Sequence, residues 1–475
     1  MTLLGLILLP LVGAAVAWIV GRSRPTAPRF VAIVTSVAVF GLAIAALVQV
    51  LQSGDHALSA TTKGMLLVLD GLSLPLVLLT GLLGVVAVTA SWAMTDRPGV
   101  HHALLLALEA AVMTVFLAGD LILFYVGWEA VLIPMFFLIG GWGHENRRHA
   151  ALKFFLYTFV GSVLMLAGLI VVMMTVKSTV IGAPTTAIDL ATQSWLFWLV
   201  AIGMLVKIPV FPLHTWLPDA HVEAPTAGSI MLAGVLLKMG GYGLMRVAIP
   251  YAPAGFAAAS PVLGAFGSAG IIYGALMAFA QVDLKRLVAY SSVAHMGFVV
   301  LGIATGTALG YAAAMLAMVS HGLVSALLFL LVGSLYERTH TREIARFGGL
   351  GARTPRWGGL FVFAALASLG LPGLSGFPGE LLAMIQGFGA FGWWMVFAAI
   401  GALLGAVYNL SAVRRVVHGE RAPEWDALAD ITRSDTIAAI VLCVGIVVIG
   451  VVPGLVLRLT DPAVTLLVRA LGGGS

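Results

Sequence analysis

Seven ionisable side chains lie in stretches too apolar to be surface: Glu109, Glu129, Lys207, Lys238, His295, His321 and Glu380. At bilayer depth such a group costs about 2.5–3.5 kcal/mol or more, so it persists only if paired, hydrated or functional. The set mixes carboxylates, lysines and histidines. All can gain or lose a proton once burial has penalised their charged forms. Spread over separate segments, they supply the row of donors and acceptors that a proton relay needs. The plainer alternative is that each is a structural pair joining two helices. There is no Arg-rich run of the kind a voltage sensor uses, and no H-E-x-x-H spacing for a metal.

Two irregular stretches flank this chemistry. Lys207-Ile-Pro-Val-Phe-Pro-Leu-His-Thr-Trp-Leu-Pro218 carries three prolines, and Leu371-Pro-Gly-Leu-Ser-Gly-Phe-Pro-Gly-Glu380 carries two prolines and three glycines. Both are expected to break a helix. Broken backbone at membrane depth must face protein or water, and paired breaks in two halves of a chain point to an ion site. A simple proline kink is the alternative. Candidate relay residues are therefore Glu129, Lys207, Lys238, His295, His321 and Glu380. A second rank holds Glu109, as another acid near Glu129, with His214, Asp219 and His221 around the first break. Asp219, His221 and Glu223 form a polar stretch that could feed protons to Lys207 from one side, or simply solvate a loop.

The elements that position these groups follow from composition. The chain has 475 residues, 61% hydrophobic and 9% charged, with a mean hydropathy of +1.07. Soluble domains carry roughly 25% charged residues, so the composition excludes an ordinary soluble protein. The one cysteine, Cys443, lies in an apolar run and supports neither a disulfide framework nor a thiolate metal cluster. The net charge of +5 is dispersed, which argues for loop topology and against nucleic-acid binding.

A membrane-spanning helix needs about 20 mostly apolar residues. Fourteen segments qualify: 2–20, 30–51, 66–94, 101–117, 120–141, 150–176, 194–214, 225–247, 257–281, 284–304, 308–336, 357–387, 392–416 and 435–457. The first has its basic residues, Arg22 and Arg24, after it, so it reads as a retained helix and not a signal peptide. With both termini outside, most of the 25 Lys and Arg fall in inside loops, as the positive-inside rule expects. The expected fold is an all-α polytopic membrane protein in a single membrane domain. Residues 1–94 hold the first three segments, 101–247 a first repeat (segments 4–8), 257–416 a second (segments 9–13), and 435–457 the last. Glu129 and His295, and the two breaks, each lie five segments apart, which predicts inverted repeats. Gly234, Gly240, Gly241 and Gly243 are expected to allow close helix packing.

Three runs carry a family resemblance. Gly127-Trp-Glu-Ala-Val-Leu-Ile-Pro-Met-Phe-Phe-Leu-Ile-Gly-Gly-Trp-Gly-His144 resembles helix 5 of the antiporter-like subunits of respiratory complex I, within the Mrp-type antiporter superfamily. Lys207 to Lys238, with its Pro-Leu-His-Thr-Trp-Leu-Pro-Asp-Ala-His stretch, resembles helices 7 and 8. Ala289-Tyr-Ser-Ser-Val-Ala-His-Met-Gly297 resembles helix 10, and Met318-Val-Ser-His321 also matches. The likeness covers roughly residues 90–420. The Phe-Pro-Gly-Glu380 ending is similar to the M-type branch, the counterpart of mitochondrial subunit 4, where L-type and N-type branches have lysine. The chain stopping after segment 14, with no long lateral helix, agrees with that branch. Pro378 departs from the pattern.

The resemblance implies a proton-translocating membrane-arm subunit of NADH–quinone oxidoreductase. Glu129 and Lys207 would form an ion pair, Lys238 would be the central relay lysine, His295 and His321 would pass the proton on, and Glu380 would couple to the exit or a neighbour. Quinone reduction elsewhere would drive it. No cofactor is implied in this chain; FMN, iron–sulfur clusters and quinone would belong to partner subunits. L-type and N-type neighbours in a bacterial inner (plasma) membrane are implied as well. Two other readings use the same residues: a subunit of a multisubunit Na+/H+ antiporter or membrane-bound hydrogenase, and a non-pumping scaffold.

Overall fold

The computed structural model describes residues 2–53, 56–62, 64–182, 188–420 and 422–470. Met1 and residues 471–475, to which the expectation of outside termini refers, lie outside this range. The described chain is a helical bundle: α1 (Thr2–Val20), α2 (Ala27–Gln52), α3 (Leu74–Ala90), α4 (Pro98–Leu117), α5 (Leu121–Ala130), α6 (Leu132–Trp142), α7 (Arg147–Val176), α8 (Leu190–Lys207) and α9 (Trp216–Glu223). There follow α10 (Thr226–Tyr251), α11 (Pro253–Phe279), α12 (Leu284–Ala304), α13 (Ala308–Thr339), α14 (Pro355–Ser368), α15 (Gly376–Phe391), α16 (Val396–Val416), α17 (Arg433–Val451) and α18 (Gly454–Ala470).

Among the described residues, 12 helical stretches are long and apolar enough to cross a membrane. The two further predicted segments fall on the 17-residue α3 and on the broken pair α14–α15. Burial sorts the helices. The central α10 and α13 are almost wholly enclosed, whereas α1, α2, α7 and α17 turn large apolar side chains outward. An apolar exterior thus surrounds an apolar core, as suits a bundle whose outer solvent is lipid and not water.

Three expectations need correction. The predicted segment 66–94 begins with a strand: β1 (Leu58–Thr62) pairs antiparallel with β2 (Met65–Leu69). The alternating burial of β2, with Leu67 and Leu69 inside, is strand periodicity that the run's hydropathy conceals. The predicted segment 194–214 ends early, since α8 stops at Lys207 and the proline-rich stretch leaves the helix. Finally, residues after 457 form another helix, α18. It buries Val456, Thr460, Ala463, Val464 and Leu467 and exposes Arg458, Asp461 and Arg469. This amphipathic spacing scores low in a search for uniform apolar runs.

Short polar caps set the helix ends. Asp120 accepts from Leu123 N at the start of α5, and Asp283 from Arg286 N at the start of α12. Asp70 bridges to Arg246 at 2.6 Å. These acids are structural.

Candidate functional site

Both predicted breaks exist. Residues 208–215 separate α8 from α9, and residues 369–375 separate α14 from α15. Pro378 is the third residue of α15, in the first turn, where a missing N–H costs no intrahelical bond. The departure from the family pattern is thus accommodated.

Lys238 lies in the middle of α10 with no solvent exposure. A π-helical turn, Leu232–Leu236, precedes it. The Lys238 ammonium donates to the Ala233 carbonyl within that turn and also meets His321 Nδ1 at 2.6 Å. π-turns often mark functional sites because they free a carbonyl from its usual partner. Close packing makes the site possible. A Cβ at Gly240 would stand 2.5 Å from Met204 O, and one at Gly234 would strike Leu83. The glycines therefore have the packing role expected of them.

From His321 the polar file continues. The His321 and His295 rings lie 5.8 Å apart. His295 Nδ1 meets Glu380 Oε1 at 2.6 Å, while its Nε2 faces Ser368 Oγ at 3.1 Å and the Tyr408 hydroxyl at 3.3 Å. With Glu380 ionised, Nδ1 must carry the proton, and Nε2 then accepts from Ser368 or Tyr408. His321 Nε2 has no hydrogen-bond partner, and both rings border a cavity of about 20 Å³ that Ser320, Ser325, Ser368 and Glu380 also line. That is room for about one water. Lys238, His321, His295 and Glu380 thus come together from α10, α13, α12 and α15.

Glu129 and Lys207 behave differently. They lie within electrostatic range of each other but form no ion pair. Lys207 Nζ is buried without a hydrogen-bond partner, 5.3 Å from the centre of the Trp128 ring. Glu129 Oε1 is also unpartnered, and the Tyr125 hydroxyl one turn earlier lies beside its carboxylate. The helix is interrupted at Val131, two residues after Glu129. The expected closed pair is open here, with the ammonium resting on an indole face.

The second-rank candidates scatter. Glu109 accepts from Ser36 Oγ at 3.0 Å, and its Oε1 is buried against Gly84. It sits among α2, α3 and α4, and its hydrogen bond goes to Ser36, not to Glu129. His214 is enclosed by Phe211, Tyr273 and Tyr290. Asp219 is tied in a half-exposed knot with Lys153 at 2.6 Å and Arg286 at 2.9 Å. His221 is fully buried, stacks on Phe329, and has both ring nitrogens unpartnered. It lies within electrostatic reach of Lys238 and Lys285.

Sequence reasoning missed Lys285, Trp128, Ser368 and Tyr408. Lys285 reads as a loop charge, yet it is buried and donates to Ala224 O at 2.5 Å. It borders a 160 Å³ cavity with His144, Tyr336 and Glu337. His144 and Tyr336 also border an open 680 Å³ vestibule lined by Asp219, Glu223, Asp283, Arg286 and Arg342. The signal for Lys285 was present: it follows the helix cap Asp283, so its side chain starts inside a helix. Tyr408-Asn409 within an apolar segment was another.

Residues 118–405 match the family described as NADH:quinone oxidoreductase/Mrp antiporter, transmembrane. The chain is 40% identical to NADH-quinone oxidoreductase subunit M of Rhodobacter capsulatus, over 97% of this chain and 95% of that one. Its structure is similar to a chain of respiratory complex I from Thermus thermophilus, with a TM-score of 0.90, 31% identity and full coverage of both chains. It shares its fold with a chain of the Mrp complex from Dietzia, with a TM-score of 0.86 and 21% identity over 99% of each.

Proposed function

This multi-pass membrane chain belongs to the NADH:quinone oxidoreductase/Mrp antiporter family, and from that premise we propose that it moves protons as the M-type membrane-arm subunit of a complex I. The observation that carries the reading is the continuous file from Lys238 through His321 and His295 to Glu380. Buried groups at hydrogen-bond spacing, with one water-sized gap, are suited to handing a proton along. A helix-pairing scaffold has no need of orphaned ring nitrogens or of a lysine facing a histidine.

Each residue then has a role. The vestibule at Asp219, Glu223 and Arg286 admits water, and the chamber at His144 brings it to Lys285. His221, within electrostatic reach of both Lys285 and Lys238, is the next acceptor. Lys238 passes a proton to His321 Nδ1, and the opposite nitrogen of that ring releases one towards His295. Glu380 takes it at the broken helix. Glu129 and Lys207 form the switch. When paired, Glu129 holds the ammonium away from the file; when Lys207 swings to Trp128, its positive charge drives the Lys238 proton onward. Trp128 makes the open state a defined minimum. Redox chemistry, with its flavin, clusters and quinone, belongs to other subunits, and the chain sits beside antiporter-like neighbours in a bacterial plasma membrane. On this reading 101–247 and 257–416 are two repeats with the breaks in matching positions.

Glu129→Gln tests this. The variant is expected to assemble and to lose most proton pumping, measured as acidification of inverted vesicles during NADH oxidation. Full pumping would overturn the switch and favour the scaffold. Sodium-driven transport with no redox partner would instead favour the antiporter reading.

A further inference from the structure

A groove of about 570 Å³ opens on the surface between α2, α3, α13, α17 and α18. Its wall is apolar, with Phe40, Leu47, Leu78, Leu82, Leu323 and Ile449 among the lining residues. Gly445 on α17 sets its width, since a Cβ there would already touch Leu323 at 3.3 Å.

Depth and charge give the groove a direction. Its mouth is at the hairpin side of the bundle, where α2 ends, α3 begins and α18 runs. Phe40 lies twelve residues below the end of α2, about 18 Å at 1.5 Å per residue. Half of a bilayer's hydrocarbon core is about 15 Å. The groove therefore spans one leaflet. Two side chains that carry N–H donors, His56 and Arg458, stand at the mouth. Both side chains are exposed, so their N–H groups are open to a ligand at the mouth. Asp461, the acid nearest to Arg458 on α18, does not line the groove.

We infer that the groove binds one anionic diacyl glycerophospholipid, its acyl chains against Phe40, Leu78 and Leu323 and its phosphate between Arg458 and His56. An exposed apolar groove in a membrane is filled by whatever is apolar beside it. What selects a particular lipid is the exposed guanidinium. Its fork of donors matches phosphate oxygens in paired hydrogen bonds, and a net negative headgroup keeps a charge that a zwitterion neutralises. The lipid fixes α18 against α2 and α3, since it touches all three. This rests on the chain being a membrane subunit and not on the relay, so the two fail separately.

The test is cryo-electron microscopy of the intact complex in phosphatidylglycerol nanodiscs, with bound lipid counted by mass spectrometry. The expected result is forked density in the groove with a headgroup peak at Arg458. Arg458→Gln should lose that peak, and Leu78→Trp, which fills the groove, should release one lipid per complex. Phosphatidylcholine nanodiscs should leave the headgroup position severalfold weaker. An empty groove, a helix of a neighbouring subunit in it, or density equal in Arg458→Gln or in phosphatidylcholine would each overturn the proposal. The unmodified complex alone decides occupancy, so the test survives a variant that fails to assemble.

Discussion

An ammonium group with 1% exposure and no hydrogen bond must face something polarisable, and Lys207 faces the Trp128 indole. A desolvated cation–π contact is worth about 0.5–2 kcal/mol. Removing it shifts the balance between open and closed pair by roughly two- to thirtyfold. Trp128→Leu is therefore expected to slow pumping within that range while the complex still assembles, and Trp128→Phe to lie between. Dye-quench rates in inverted vesicles, divided by NADH oxidation, read this out; equal ratios in all three would remove Trp128 from the switch. His144, in the turn after α6, answers to pH instead. Burial, then Lys285 and Arg342, hold its ring down to about 3, against about 6.5 for a free histidine. A depressed value means the fold favours the neutral ring. That contribution is complete above pH ~6.5 and is lost as pH falls towards 3. The melting temperature of the purified complex should drop along this interval, and His144→Phe should flatten the drop; an unchanged slope contradicts the assignment. The candidate relay residues were legible as buried ionisable groups because a charge in an apolar run is conspicuous. Trp128 was not, since an aromatic beside an acid looks like any core residue, and only the direction of Lys207 gives it a role.

The glycines of α10 decide how closely helices approach the relay. At Gly240 a side chain would strike the Met204 carbonyl oxygen and Ile208 Cγ1, each at 2.5 Å, and press on Ile208 N at 3.0 Å. Overpacking of this kind costs about 1–3 kcal/mol. Gly240→Leu is expected to reduce the amount of intact complex on native gels, and the surviving fraction should pump poorly, because α8 and Lys207 move away from α10. Wild-type assembly and pumping would mean that α8 can shift without consequence. Helix breaks were predictable from proline and glycine clusters, since those residues cannot sustain the backbone ladder. The hairpin and α18 were not. Hydropathy finds uniform runs, whereas β2 alternates with period two and α18 spreads its apolar residues over one stripe.

Among the described residues, buried polar groups gather in the interior along α10, α12, α13 and α15, with Glu109–Ser36 and Asp70–Arg246 set apart from them. On the proposed path an open vestibule leads towards Lys285, then to His221 and Lys238, and the file ends at Glu380 beside the second broken helix. The surrounding shell is apolar and faces lipid. Composition made the shell obvious. The path's continuity depends on four separate helices meeting, at hydrogen-bond distance for Lys238–His321 and His295–Glu380 and across one water-sized gap between the histidines, which no single run encodes. Lys238 is the point through which every proton on this path must pass. The decisive measurement is the ratio of protons moved to NADH oxidised by the intact complex carrying Lys238→Met, reconstituted in sealed proteoliposomes. The path predicts an assembled complex that still transfers electrons, with the ratio clearly below that of the unmodified complex. An unchanged ratio would contradict it, because protons would then be crossing by a route that does not include Lys238.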